Sequence, residues 1–215
     1  MEWLLQIADF FLHLDHHIKD LLEHFGGGTY IIVFLIIFCE TGLVVTPFLP
    51  GDSLLFILGT FAATGALNII YLLALLLAAA ILGNTLNYAI GRKFAPKVFG
   101  RQRIRFVKEE YLEKTERFFE KYGGKTIIIT RFVPIIRSFA PFLAGVGQMN
   151  YGRFTFYNVS GGILWVCSLT LAGYFFGNIP IVQKHFTLVV YLIIVVSLLP
   201  AVLEFLRHRQ PKVLE

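Results

Sequence analysis

The chain has 215 residues, 56% of them hydrophobic and only 15% charged, with 19 Lys and Arg against 14 Asp and Glu. Its mean hydropathy is +0.70. A soluble domain carries about 25% charged residues, so composition excludes that class. Apolar runs near the roughly 18–20 residues that cross a bilayer recur along the chain, and the expected fold is an all-α integral membrane protein of one domain.

Residues 1–25 place Trp3, Ile7, Phe10, Leu14, Ile18 and Leu21 on or near one helical face, with Asp9, Asp15, Lys19 and Asp20 mostly elsewhere. This pattern predicts an amphipathic helix lying in the interface. Glu2 and Asp9 stand where a secretory signal needs basic residues, so no signal peptide is expected. His13, His16, His17 and His24 read as a wetted polar face or, alternatively, as a pH sensor.

Gly26-Gly27-Gly28 opens residues 29–67, an apolar stretch interrupted by Glu40, Pro47, Pro50, Gly51 and Asp52. Thirty-nine residues are too few for two spans and a connection at roughly 20 residues per span. The expectation is a re-entrant hairpin of two half-helices broken at Pro47, Pro50 and Gly51. Non-helical backbone at that depth must be buried in protein or face a wet cavity. Residues 69–91 read as a full span, completing a first repeat over 26–91.

Residues 92–125 hold eleven of the nineteen Lys and Arg. The positive-inside rule makes this block a cytoplasmic loop, with a surface helix near its end, rather than a nucleic-acid site. Residues 126–147 are broken again, by Arg131, Pro134, Arg137, Pro141 and Gly145. They are expected to form a second re-entrant hairpin with its break at Pro134, Pro141 and Gly145. Spans are expected over 155–177, closing a second repeat (126–177), and over 187–206, leaving Arg207, Arg209 and Lys212 on the cytoplasmic side.

Three local matches support a repeat: Phe25-Gly-Gly-Gly-Thr29 with Tyr122-Gly-Gly-Lys-Thr126, Gly65-x-x-Asn68 with Gly147-x-x-Asn150, and Tyr88-x-x-Gly91 with Tyr174-x-x-Gly177. One hairpin plus one span crosses once per unit, so the second unit is inverted, as in secondary transporters whose broken helices meet at the midplane.

A charge at the bilayer centre costs about 2.5–3.5 kcal/mol, so Glu40, Asp52, Arg131 and Arg137 need an explanation. Mutual pairing that staples the hairpins together is one. Asp52 also suits an N-cap for a helix starting at Leu54. The functional alternative gives each sign a task. Arg131 and Arg137 present planar forks suited to phosphate, and Glu40 and Asp52 are candidates for proton coupling, since burial favours the protonated carboxyl while nearby arginines oppose it. Catalysis is not expected: no histidine falls in an apolar core, and neither a H-E-x-x-H signature nor a nucleophile elbow is present. Cys39 and Cys167 read as small apolar residues without metal spacing. No metal and no cofactor are expected.

Glu40 through Pro47-x-x-Pro-Gly-Asp52, Gly83-Asn84-x-x-x-Tyr88-x-x-Gly91-Arg92, and Thr130-Arg131-Phe132-x-Pro134-x-x-Arg137-Ser-x-x-Pro141-x-x-Ala144-Gly145 together resemble the DedA family of bacterial inner-membrane proteins, relatives of eukaryotic lipid scramblases. The family often has an acid where this chain has Asn84, which argues against an essential charge there. The resemblance implies transport of an anionic lipid, undecaprenyl phosphate or a phospholipid, linked to the proton-motive force and to envelope integrity. Membrane lipid and protons are then the expected partners, with no nucleic acid, and a homodimer is compatible with the sequence. Two other readings stay open: a proton-coupled antiporter of small cations or drugs, and a non-transporting envelope scaffold.

Overall fold

A computed structural model of the chain describes residues 14–43, 51–99, 125–184 and the positions 188, 189 and 192. The first half of the amphipathic segment, Pro47 and Pro50, the loop from 100 to 124 and most of the 187–206 span lie outside the described residues. Within them the elements are all helical, with no strand: α1 (Leu14–Phe25), a 3₁₀ turn (Gly26–Gly28), α2 (Thr29–Gly42), α3 (Gly51–Ala63), α4 (Ile69–Phe99), α5 (Lys125–Thr130), α6 (Pro134–Val146), α7 (Tyr151–Phe176) and α8 (Pro180–Lys184). Among the described residues, three stretches are long and apolar enough to cross a membrane, Ile18–Gly42, Ile69–Phe94 and Tyr151–Phe176. Their outer faces are apolar as well: Ile70, Tyr71, Phe156 and Phe175 are each at least 66% exposed, a pattern soluble proteins avoid in contiguous patches.

The first of these stretches is bent. Gly26 takes φ +49°, a conformation glycine adopts without penalty, and the Thr29 hydroxyl donates back to the Leu21 carbonyl at 3.1 Å, a reach no straight helix permits across eight residues. α1 therefore leans on the core through Ile18, Leu21 and Leu22 while Lys19, Asp20, Glu23 and His24 stay exposed.

The next three helices form a hairpin and its span. The Asn68 N–H, at the entry to α4, donates to the Tyr30 hydroxyl at the start of α2 at 2.7 Å. At the other end of α2, the Asn87 amide donates to the Thr41 carbonyl at 3.2 Å. α2 thus runs parallel to α4 as far as its middle. The chain returns through α3 to the level where it entered. In the second unit Arg131, just past α5, meets Asn158, and Ile127 packs near Phe154, so α5 runs parallel to α7. α4 and α7 are antiparallel, because Ile81 lies against Gly162 while Tyr88 stacks on Phe154. The two hairpins consequently enter the bundle from opposite ends.

Each returning half-helix packs on the long helix of the other unit, and the crossings repeat. A Cβ on Gly59 of α3 would strike the Thr170 carbonyl, and one on Gly173 of α7 the Phe56 carbonyl. A Cβ on Gly145 of α6 would strike the Tyr88 carbonyl, and one on Gly91 of α4 the Phe142 carbonyl. The turns match too. Each ends its half-helix with a left-handed residue, Gly65 and Gln148, and the long helix that follows begins under an Asn cap, Asn68 and Asn150.

Several expectations change. α4 continues through Arg92 and Lys93 to Phe99, since both are good helix formers whose heads reach water at a span's end. Counted from the caps, Tyr88-x-x-Gly91 matches Thr170-x-x-Gly173, one turn before Tyr174-x-x-Gly177. In the second hairpin the break is Arg131–Val133, and Pro134 opens α6 at a position where its missing N–H costs nothing. Pro141 and Gly145 are not at the break but inside α6. Gly145 is there for the close approach of α4. Cys39 and Cys167 are only partly buried.

Candidate functional site

The two breaks deliver four charged side chains to one place at mid-height of the long helices. Glu40 is 0% exposed, Arg131 1%, Arg137 2% and Asp52 6%. Glu40 stands in the last turn of α2, where the helix dipole disfavours an anion, and Arg137 in the first turn of α6, where it disfavours a cation. Each supplies what the other lacks. Arg137 Nη2 donates to Glu40 Oε1, and Nη1 donates to Asp52 Oδ1 at 2.7 Å. Gly51 lets α3 begin this close, because a Cβ there would overlap the Glu40 carboxylate.

Asp52 lies within the first turn of α3, which starts at Gly51 rather than Leu54. Its Oδ1 also accepts the indole N–H of Trp165 at 2.8 Å. The Arg137 guanidinium lies 4.7 Å from the Trp165 ring centroid, within cation–π range. Three of the four charges are thus bonded to one another around one indole.

Arg131 is held differently. Its Nη2 donates to the Asn158 carbonyl at 3.1 Å and to the Asn158 side-chain oxygen, and its guanidinium lies 6.0 Å from the Trp165 centroid. Gly161 and Gly162 make room for it on α7: a Cβ on Gly161 would press on Cδ at 3.1 Å. Among the described residues no carboxylate pairs with Arg131, and its Nε and Nη1 are buried without a hydrogen-bond partner. Glu40 Oε2, Arg137 Nε and Ser138 Oγ are likewise unpartnered around the same cluster.

A layer of amides joins the parts. Asn87 donates to the Thr41 carbonyl and, at 2.7 Å, to the Ser138 carbonyl, tying α4 to both breaks. Asn158 donates to the Ile81 carbonyl at 3.1 Å. Sequence reasoning located all four charges and left out Trp165, Asn87 and Asn158. The only available signal was a large aromatic and isolated amides inside otherwise apolar helices, residues that seek a partner when buried. Among the described residues no group of three His, Cys, Asp or Glu side chains could hold a metal ion.

The VTT domain family matches residues 49–175. Protein DedA of Escherichia coli strain K12 is 52% identical over 212 residues, which cover 98% of this chain and 97% of that protein. The chain belongs to the DedA family. It is similar at 43% identity to the membrane protein Rv0364 of Mycobacterium tuberculosis strain H37Rv, over 85% of this chain and 81% of the other. The inner membrane protein YqjA of E. coli K12 is 35% identical over 74% of this chain and 72% of its own length. None of these names states an enzymatic activity. No solved structure matches the chain. As a DedA-family member with long apolar helices, it is a multi-pass membrane protein, and the VTT match spans Asp52, Arg131, Arg137 and Trp165 but begins after Glu40.

Proposed function

We propose that this protein translocates an anionic lipid across the bacterial inner membrane, most directly undecaprenyl phosphate or a phospholipid, in a manner linked to the proton-motive force. In this reading the broken helices are re-entrant, the repeats are inverted across the bilayer, and the basic loop faces the cytoplasm. The observation that carries the reading is Arg131: a buried guanidinium that, among the described residues, has no carboxylate partner and two nitrogens without bonds. A guanidinium does not give up its proton in a protein, and a lone buried charge is costly. A phosphate oxygen would offset that cost.

Arg137 supplies the second donor and the link to protons. While Glu40 and Asp52 are both ionised, its two terminal nitrogens are both engaged. A proton on Glu40 removes half of its counter-charge and leaves Nη2 available to the same phosphate. Deprotonation restores the pair and expels the headgroup. Proton uptake on one side and release on the other would then drive lipid movement, with Glu40 and Asp52 as the coupling groups.

Reconstituted vesicles test this. The protein is expected to move fluorescent undecaprenyl phosphate between leaflets, faster with a proton gradient, and Arg137→Ala or Arg131→Gln should each abolish movement while remaining monodisperse. Unchanged transport in Arg131→Gln removes the assigned role. Cation-dependent proton flux without lipid movement would instead identify an antiporter. Full cellular function with all four charges neutralised would leave the pairing of Arg137 with Glu40 and Asp52 as a structural staple in a scaffold.

A further inference from the structure

Asn84 lies on α4 against Arg131 and is 1% exposed. Its amide has two seatings. In one, the nitrogen donates to Asn158 Oδ1 at 3.1 Å. Turned over, its oxygen accepts from Arg131 Nη2 at 2.9 Å and its nitrogen donates to the Thr41 carbonyl at 3.3 Å, while the bond to Asn158 is given up and the oxygen lies 3.1 Å from Asn158 Oδ1. Only the second gives the oxygen a donor, and we adopt it. The contact then has a specific electrical meaning. A carboxylate of the same shape would occupy the same position and form a buried ion pair with Arg131, whereas the amide satisfies one nitrogen of Arg131 and leaves its charge intact.

We propose that Asn84 is a specificity-determining residue: by presenting a neutral oxygen to Arg131, it reserves that positive charge for a ligand bringing its own negative charge, a phosphate monoester. The inference rests on Arg131 being the anion seat and adds what keeps that seat open. The groups around position 84 are Arg131 from the end of α5, Asn158 from α7 and Thr41 from α2, with Glu40, Asp52 and Arg137 in the adjoining pair. Among these, Arg131 is the charge in contact with Asn84, so a carboxylate placed there acts first on Arg131.

The experiment is calorimetric titration of the full chain in nanodiscs with dihexanoyl phosphatidic acid, inorganic phosphate and, as neutral control, dihexanoyl phosphatidylcholine. Wild type is expected to bind phosphatidic acid and Arg131→Gln to lose it. Asn84→Asp is expected to weaken binding at least tenfold at neutral pH and to regain it on acidification, with wild type titrated in parallel. Should Asn84→Asp not yield folded protein, Asn158→Asp sets a carboxylate on the other side of Arg131 and is expected to show the same loss. Binding of phosphatidic acid alone supports a lipid headgroup, and binding of inorganic phosphate as well supports the phosphate group itself. Wild-type affinity in a folded carboxylate variant, with Arg131→Gln inactive, overturns the role of Asn84 and leaves the anion seat standing. Wild-type affinity in Arg131→Gln, or no binding by wild type, overturns both.

Discussion

Arg137 and Arg131 carry the same charge at nearly the same depth and are satisfied in opposite ways. Arg137 answers two carboxylates and an indole face; Arg131 answers amides and a carbonyl. Removing them should therefore have opposite consequences for stability. Arg137→Ala strands Glu40 and Asp52 in an apolar interior, and loss of one partner of a buried pair costs about 3–5 kcal/mol. Arg131→Gln removes an uncompensated charge and should leave melting in detergent unchanged or raised. A lower melting temperature for Arg131→Gln than for Arg137→Ala would contradict this assignment. The four charges were legible in the sequence because any charge in an apolar run is expensive. Trp165, Asn87 and Asn158 were not, because a single indole or amide is tolerable in a span and its meaning lies in which charge it touches.

At the scale of elements, α2 ends at Gly42 and α3 begins at Gly51, with Pro47 and Pro50 outside the described residues, whereas the second break was overdrawn. Pro141 lacks a donor, yet α6 continues through it. Gly145, read as a breaker, is instead a contact surface, and no local pattern separates the two uses. The crossings give a direct test. Gly59→Ala and Gly145→Ala push a methyl group into a facing backbone carbonyl and are expected to cost about 1–3 kcal/mol each, the range for overpacking a well-filled core. Gly27→Ala meets open space and should fall within about 0.5 kcal/mol of wild type. Equal melting losses at all three sites would show that the glycines act through chain entropy rather than close approach.

For the molecule as a whole, the repeat was expected from three short matches, of which Gly65-x-x-Asn68 with Gly147-x-x-Asn150 holds its place as a turn and cap, while Tyr122-Gly-Gly lies outside the described residues. The Tyr-Gly match slipped by one helical turn because glycines recur along both long helices. The proposed inversion has a clear consequence: the turn before α4 and the turn before α7 are expected to face opposite sides of the membrane. In a background with Cys39 and Cys167 replaced, Ala66→Cys and Arg153→Cys, both at exposed positions, should react with an impermeant maleimide from opposite sides of sealed inverted vesicles and intact cells. Labelling of both from one side would refute the inversion. The central claim is that the cluster beneath the two breaks receives a phosphorylated lipid. It is tested most directly by photocrosslinking an undecaprenyl phosphate analogue with its diazirine beside the phosphate, then mapping the adduct by mass spectrometry. The account predicts adducts at Gly161–Trp165 and around Arg131 that vanish in Arg131→Gln. Adducts confined to the outer faces of α4 and α7, unchanged by that substitution, would contradict it.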